Sequence, residues 1–133
     1  MGQLGNSGGQ KFWSWYGFES RVEWCACFAS WCAEQSGMVA SGQVLKFSSC
    51  AVGASWFQGQ GRWKGKGYTP SAGDFIFFDW NKDGQVDHVG IVVNVANGRV
   101  NTIEGNTSNM VARRSYQFGG IVIVGYGYIY KIY

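Results

Sequence analysis

Apolar positions in the first part of the chain recur at helical spacing. Ser20-Arg21-Val22-Glu23 places a serine N-cap three residues before a glutamate, the pattern of a capping box. Trp24, Phe28, Trp31, Cys32 and Gln35 then follow along a helix, and Gly37 ends the run. A second helical stretch is predicted near 48–57. Upstream, residues 1–19 are glycine-rich around Phe12-Trp13-Ser14-Trp15-Tyr16 and read as an arm with a short helical turn. After Gly65-Lys66-Gly67 the period changes. Phe75-Ile76-Phe77-Phe78, introduced by Gly73-Asp74, reads as a buried strand. His88 to Val95 forms a second and Arg99 to Glu104 a third, with Asn97-Gly98 marking a hairpin between them. Two more strands are expected in 120–133, at Ile121 to Val124 and Tyr126 to Tyr133. Helices first and an antiparallel sheet of about five to six strands afterwards make an α+β fold. We expect one domain over 1–133, with the arm at 1–19, a helical part at 20–57 and the sheet at 73–133.

Composition narrows the class. The chain has 133 residues, 46% of them hydrophobic and 14% charged, which is one domain's worth and excludes a disordered chain. Glycine is abundant (21 residues) but has no triplet period and stands against one proline, so collagen is excluded. No apolar run approaches the roughly 20 residues of a membrane span, and no signal peptide is visible in the opening residues. The net charge of +3 is scattered rather than gathered in a stripe, which argues against nucleic acid as a partner. Aromatics reach 17%, with 7 Trp, more than the core of so short a chain needs; the remainder point to a groove for flat or sugar-like ligands.

Four cysteines fit neither a zinc site nor a disulfide framework. Cys25-Ala26-Cys27 is too tight for paired zinc ligands, and His88 is the one histidine. Three of the four crowd one segment, which leaves at most a bridge from Cys50 to Cys27 or Cys32. Cys25 stands near a helix start, where unpaired N–H groups lower a thiol pKa. Cys32 lies on the aromatic side and reads as a buried structural thiol. Cys25 shares its stripe with Ala29 and Ser36, small residues that leave room for a cleft. The polar residues Glu104 and Asn106 alternate at the end of the third strand. A two-residue Asn97-Gly98 turn would pair Ala96 with Arg99 and set His88 and Glu104 on opposite faces. A three-residue loop pairs Val95 with Arg99, puts Gly90 opposite Glu104 and His88 opposite Asn106, and leaves Glu104 room to lean toward the imidazole. We adopt the second register. Thiol, imidazole and carboxylate or amide then follow the nucleophile–base–orienter logic of a cysteine hydrolase.

Four local sequences carry a resemblance: Trp24-Cys25-Ala26-Cys27-Phe28-Ala29-Ser30-Trp31, Gly73-Asp74-Phe75-Ile76-Phe77-Phe78, Asp87-His88-Val89-Gly90-Ile91-Val92 and Thr102-Ile103-Glu104-Gly105-Asn106. In this order, over roughly residues 12–130, they resemble the CHAP family of cysteine- and histidine-dependent amidohydrolases and peptidases. The resemblance implies a papain-like fold, shared with the NlpC/P60 type. It implies Cys25 as nucleophile, His88 as base, Glu104 as orienting acid and Asn106 as supporting polar residue. It also implies peptidoglycan as the partner, cut at the muramic acid–L-alanine amide or within the stem or cross-bridge peptide. The expected setting is extracellular, at the bacterial wall, or release of a phage-encoded enzyme at lysis, as a monomer. Trp56, Trp63 and Trp80 are the candidates for ligand contact, with core packing as the plain alternative for each.

Asp79-Trp80-Asn81-Lys82-Asp83-Gly84-Gln85-Val86-Asp87 matches the first half of an EF-hand loop, without the closing glutamate. Asp79, Asn81, Asp83, Asp87 and the Gln85 carbonyl are the candidate ligands of a structural calcium ion; the chemistry itself needs no cofactor. The competing reading is an Asx-rich surface turn. Two other functions compete with the hydrolase: an NlpC/P60-type endopeptidase, whose third residue is typically His or another polar group, and a non-catalytic sugar-binding module.

Overall fold

The computed structural model describes residues 3–129. Its elements are β1 (Gln3–Gly5), α1 (Gln10–Tyr16), α2 (Cys25–Gln35), α3 (Cys50–Gly59), β2 (Trp63–Gly65), β3 (Phe75–Phe78), β4 (His88–Ala96), β5 (Arg99–Thr107), β6 (Met110–Gln117) and β7 (Ile123–Gly127). The described strands form one seven-stranded sheet in the order β1-β6-β5-β4-β3-β7-β2, every neighbouring pair antiparallel. The fold is α+β, with its helices ahead of the main sheet. No described helix is long and apolar enough to cross a membrane.

β3 reads as a continuous apolar run because both of its faces are covered. Phe75 and Phe77 face Ala26, Ala29 and Ala33 of α2 and Ala54 and Phe57 of α3. Ile76 and Phe78 join Val92, Val100, Ile123 and Tyr126 in a second cluster. Each phenylalanine removed from water contributes about 2–3 kcal/mol. The alanine stripe of α2 does not open a cleft as its small residues suggest. Ala29 is fully buried, and the stripe instead lets the helix settle close onto the sheet. Gly105 on β5 allows the same approach from the other side, since a Cβ there would lie 2.4 Å from that of Phe28.

Several boundaries differ from expectation. Ser20 does not cap α2: the helix begins at Cys25, with Trp24 at the N-cap and no side-chain cap. The glutamate of the anticipated box is drawn elsewhere, because Glu23 accepts hydrogen bonds from Asn106 and Arg21. At the far end Gly37 (φ +76°) does stop the helix, and Met38 N–H bonds back to Ala33 C=O at 2.9 Å. α3 starts at Cys50, with Ser49 as N-cap accepting from Val52 N–H. Of the two strands expected after residue 120, the described residues contain one, Ile123–Gly127; the remainder of the second, from 130 to 133, lies outside the described residues. β6, β1 and β2 were not anticipated. β6 is polar and arginine-bearing, and β1 and β2 are three-residue edge strands.

The hairpin register is also corrected, with an instructive outcome. Asn97 (φ +54°) and Gly98 (φ +73°) form the two-residue turn, and Ala96 does pair with Arg99. A bulge between Val92 and Asn94 then shifts the ladder by one residue, so that Ile91 pairs with Ile103. The Ile91–Ile103 pair is the one a three-residue loop would have produced. His88 and Glu104 share a face.

Candidate active site

Two helix N-termini meet here. Cys25 is the first residue of α2 and Cys50 the first of α3, and their sulfurs lie 3.3 Å apart. Both are buried: Cys25 is 4% and Cys50 9% exposed. The segment leading into α3 is pinned to α2 by Ser30, whose hydroxyl donates to Phe47 C=O (2.6 Å) and accepts from Phe47 N–H (2.9 Å). The segment leading into α2 is tied to the sheet by Arg21, which reaches Asn106 and Asn109, and by Glu23 on Asn106. The first i→i−4 bond of α2 runs from Phe28 N–H to Trp24 C=O, so the earlier N–H groups remain directed toward the Cys25 end.

His88 opens β4. Its Nε2 lies 2.8 Å from Glu104 Oε1, which leaves Nδ1 as the ring nitrogen for Cys25. Glu104 is completely buried, and its other oxygen accepts from Thr102 Oγ1 (2.5 Å) and Tyr116 OH (2.7 Å). Gly90, opposite, makes the room: a Cβ there would stand 2.6 Å from Glu104 Cγ. Phe78, Trp80 and Tyr116 wall the imidazole and carboxylate, with ring centroids of Phe78 and Trp80 at 5.7 and 5.5 Å from that of His88.

The charges follow from this packing. The Cys50 thiol, donating to Cys25, is the largest influence on the Cys25 pKa. Burial opposes it, while the His88 contact and the Val89 N–H add to it, and the Cys25 thiol falls well below its ordinary range. Burial alone would lower the His88 pKa, but Cys25 and Glu104 outweigh it and carry the imidazole up to about 10. Cys50 is pushed the opposite way, upward, first by its bond to Cys25 and then by burial. The pair therefore holds one proton, on Cys50, and the negative charge sits on Cys25. Burial raises Cys27 to about 11 and Cys32 to about 12.

The other expected site residues divide. Asn106 is turned away from the imidazole: at φ +57° it interrupts the β5–β6 ladder, and its amide is engaged by Arg21 and Glu23. It holds the loop before Cys25, which corrects its expected place beside His88. Trp80 is 43% exposed at the rim beside His88. Trp56 and Trp63 are half-buried and pack on the helix-side core; Arg62 lies over Trp56, and Trp63 packs against Phe77.

The profile of the CHAP domain matches residues 15–106. The chain belongs to the CHAP domain family. No curated protein matches it. Among solved structures, it is similar to Ly7917 with the hydrolyzing product of MDP, at 22% identity and a TM-score of 0.54, over 79% of this chain and 53% of that one. A second structure of Ly7917 aligns at 19% identity and a TM-score of 0.53, over 79% of this chain and 52% of that one. This CHAP domain thus spans about half the length of the chains it aligns with, and the likeness is one of fold.

The Asp79–Asp87 loop of this CHAP domain closes on its own backbone. Asp79 accepts from Asp83 N–H (3.2 Å) and Gly84 N–H (2.8 Å), Asp87 from Trp80 N–H (3.0 Å) and Asn81 N–H (3.2 Å), and Asp83 from Gln85 N–H (3.0 Å). Burial works against ionisation of Asp79, but the converging N–H donors win and lower its pKa. Among the described residues no three acidic, histidine or cysteine side chains gather into one cluster. The carboxylates as placed cap the turns of the loop. Sequence reasoning missed Cys50, Thr102 and Tyr116 as members of the site. For Thr102 and Tyr116 the available signal was the β5–β6 pairing, which puts Val100 opposite Tyr116 on the Glu104 face.

Proposed function

We propose that this CHAP domain is a peptidoglycan hydrolase that cleaves an amide bond with Cys25 as nucleophile, His88 as acid and base, and Glu104 as the group that orients and charges the imidazole. The observation that carries this reading is the buried His88–Glu104 pair at 2.8 Å beside the one cysteine whose pKa is lowered. In this scheme the Cys25 thiolate attacks the amide carbon, and the N–H groups at the start of α2 receive the developing oxyanion. The His88 imidazolium gives its proton to the departing amine. Neutral His88 then takes a proton from water, which attacks the thioester, releases the carboxylate product and restores the thiolate. Glu104 stays in place beside the imidazole, held by Thr102 and Tyr116.

The family supports the substrate class, and Ly7917, holding the hydrolyzing product of MDP, supports hydrolysis on this fold. Two bonds suit the site: the muramic acid–L-alanine amide and a peptide bond of the stem or cross-bridge. The place of action is the bacterial wall, reached from outside the cell or at lysis. A sugar-binding module would have no use for a buried ion pair, and the CHAP match displaces the NlpC/P60 alternative.

The test is digestion of purified peptidoglycan, with the new amino terminus read by mass spectrometry. Wild type should release one class of amine and Cys25→Ala none, with the variant still folded and melting cooperatively. Full activity in Cys25→Ala, or activity that follows Cys32, would overturn the assignment.

A further inference from the structure

Cys50 is a second nucleophile in contact with the first, and the hydrolytic scheme gives its sulfur no covalent task. Its position is built. Ser30 fixes Phe47 through two hydrogen bonds, Ser49 caps α3, and the helix then presents Cys50 at 3.3 Å from Cys25. The other two thiols stand apart from this pair: Cys27 is buried in the aromatic cluster with Phe12, Trp24 and Phe28, and Cys32 packs at its edge. The two sulfurs, 3.3 Å apart, need to close by about 1.3 Å to reach bonding distance.

We propose that Cys50 is a resolving thiol, and that a peroxide converts the Cys25–Cys50 pair into an intramolecular disulfide that reversibly switches the enzyme off. The inference rests on Cys25 being the nucleophile. In the first step the Cys25 thiolate attacks one peroxide oxygen; the O–O bond breaks, hydroxide leaves and takes up a proton, and Cys25 becomes a sulfenic acid. In the second, the Cys50 sulfur attacks the Cys25 sulfur. The S–S bond forms as the S–O bond breaks, and the departing hydroxide leaves as water with the Cys50 proton. Two thiols are oxidised, one peroxide is reduced and two waters form. A dithiol reverses the bond by exchange. Both cysteines are buried, so the small size of hydrogen peroxide suits it as the oxidant of this pair. The bridge also protects Cys25, because a sulfenic acid without a resolving partner proceeds to irreversible sulfinic acid.

The experiment treats the whole chain with hydrogen peroxide and follows intact mass, disulfide-linked peptides and peptidoglycan hydrolysis, before and after dithiothreitol. Wild type should lose about 2 Da, yield a linked Cys25–Cys50 peptide, fall at least about tenfold in activity and recover with the dithiol. Cys50→Ser, compared with its own untreated activity, should instead gain about 32 Da at Cys25 and stay inactive after the dithiol. If Cys50→Ser does not fold, wild-type mass and peptide mapping decide alone. Wild type that accumulates the 32 Da adduct, or links Cys25 to Cys27 or Cys32, would refute the resolving role. A Cys25–Cys50 bridge that forms while hydrolysis continues undiminished would sink the nucleophile assignment and leave the thiol pair standing, so the two failures are told apart.

Discussion

Replacing Glu104 by Gln keeps the shape of the side chain and removes its charge. Three donors converge on the carboxylate: His88 Nε2 at 2.8 Å, Thr102 Oγ1 at 2.5 Å and Tyr116 OH at 2.7 Å. The amide offers one acceptor oxygen and turns its NH₂ toward hydrogen donors, so at least one hydroxyl must reorient. The dominant loss is the charge-assisted bond to His88, worth about 1.5–3 kcal/mol. His88 stands at about 10 because Cys25 and Glu104 both favour the imidazolium over the opposing effect of burial. Without the Glu104 charge the imidazolium gives up its proton more readily, so its pKa moves down, by about 1–2 units for that energy. The alkaline limb of kcat/KM therefore moves to lower pH by the same amount, and kcat/KM at neutral pH falls by about 10–100-fold. A raised histidine pKa contributes stability that is complete below its unfolded value and is lost as pH rises through about 10. Glu104→Gln should accordingly lower Tm by several degrees near neutral pH and by less at high pH. A pH–rate profile on a soluble muropeptide with calorimetry on both proteins would measure this. A variant within about twofold of wild type, with its alkaline limb unmoved, would show that the carboxylate does not govern the imidazole.

Gly90→Ala places a methyl 2.6 Å from Glu104 Cγ; it should cost about 1–3 kcal/mol in calorimetry and lower kcat by at least about tenfold, because the displaced carboxylate no longer meets His88. Trp80→Ala, at the exposed rim, should raise KM by several-fold with Tm nearly constant, whereas Trp63→Ala, which removes a ring packed on Phe77, should lower Tm and leave KM alone; the reverse pattern would exchange their roles. For the Asp79–Asp87 loop, melting curves and activity in chelator and in millimolar calcium separate the two readings: a rise of several degrees with calcium supports the ion, and equal Tm and activity support a turn held by its own backbone N–H groups.

The readable part of this site is the part carried by local sequence. Cys25 precedes a helical pattern, and His88 and Glu104 lie on strands whose apolar runs are plain. The hairpin shows how such reading goes astray yet lands well. Asn97-Gly98 favours a tight turn, which sets the Ala96–Arg99 pairing, and nothing in Val92-Val93-Asn94 announces the bulge that then shifts the ladder. An assumed longer loop gives the same offset at Ile91. The illegible part comes from elements that meet only in three dimensions. Tyr116 sits in MVARRSYQ, where adjacent arginines read as surface, and it reaches Glu104 because β6 pairs with β5. Cys50 lies 25 positions beyond Cys25, and its approach depends on a loop held by Ser30.

The four cysteines make the governing point about reactivity, which is set by placement rather than residue type. Cys25 and Cys27 are two positions apart on one helix, yet one is held well below the ordinary thiol range and the other raised to about 11. Cys27 points into rings that offer a thiolate no compensation, so burial acts on it almost unopposed. Cys25 suffers burial too, but it faces a thiol donor from a second helix start, a backbone N–H from β4 and an imidazole charged by Glu104. Each of those groups comes from a different element. Bringing them to one sulfur requires α2 to sit close on the sheet, which its alanine stripe and Gly105 permit, and requires β4 and β5 to hold one register at their site ends, which the bulge at Val93 provides. The small residues and the irregularity in the ladder are therefore part of the chemistry, since without either the thiol would be as inert as its neighbours.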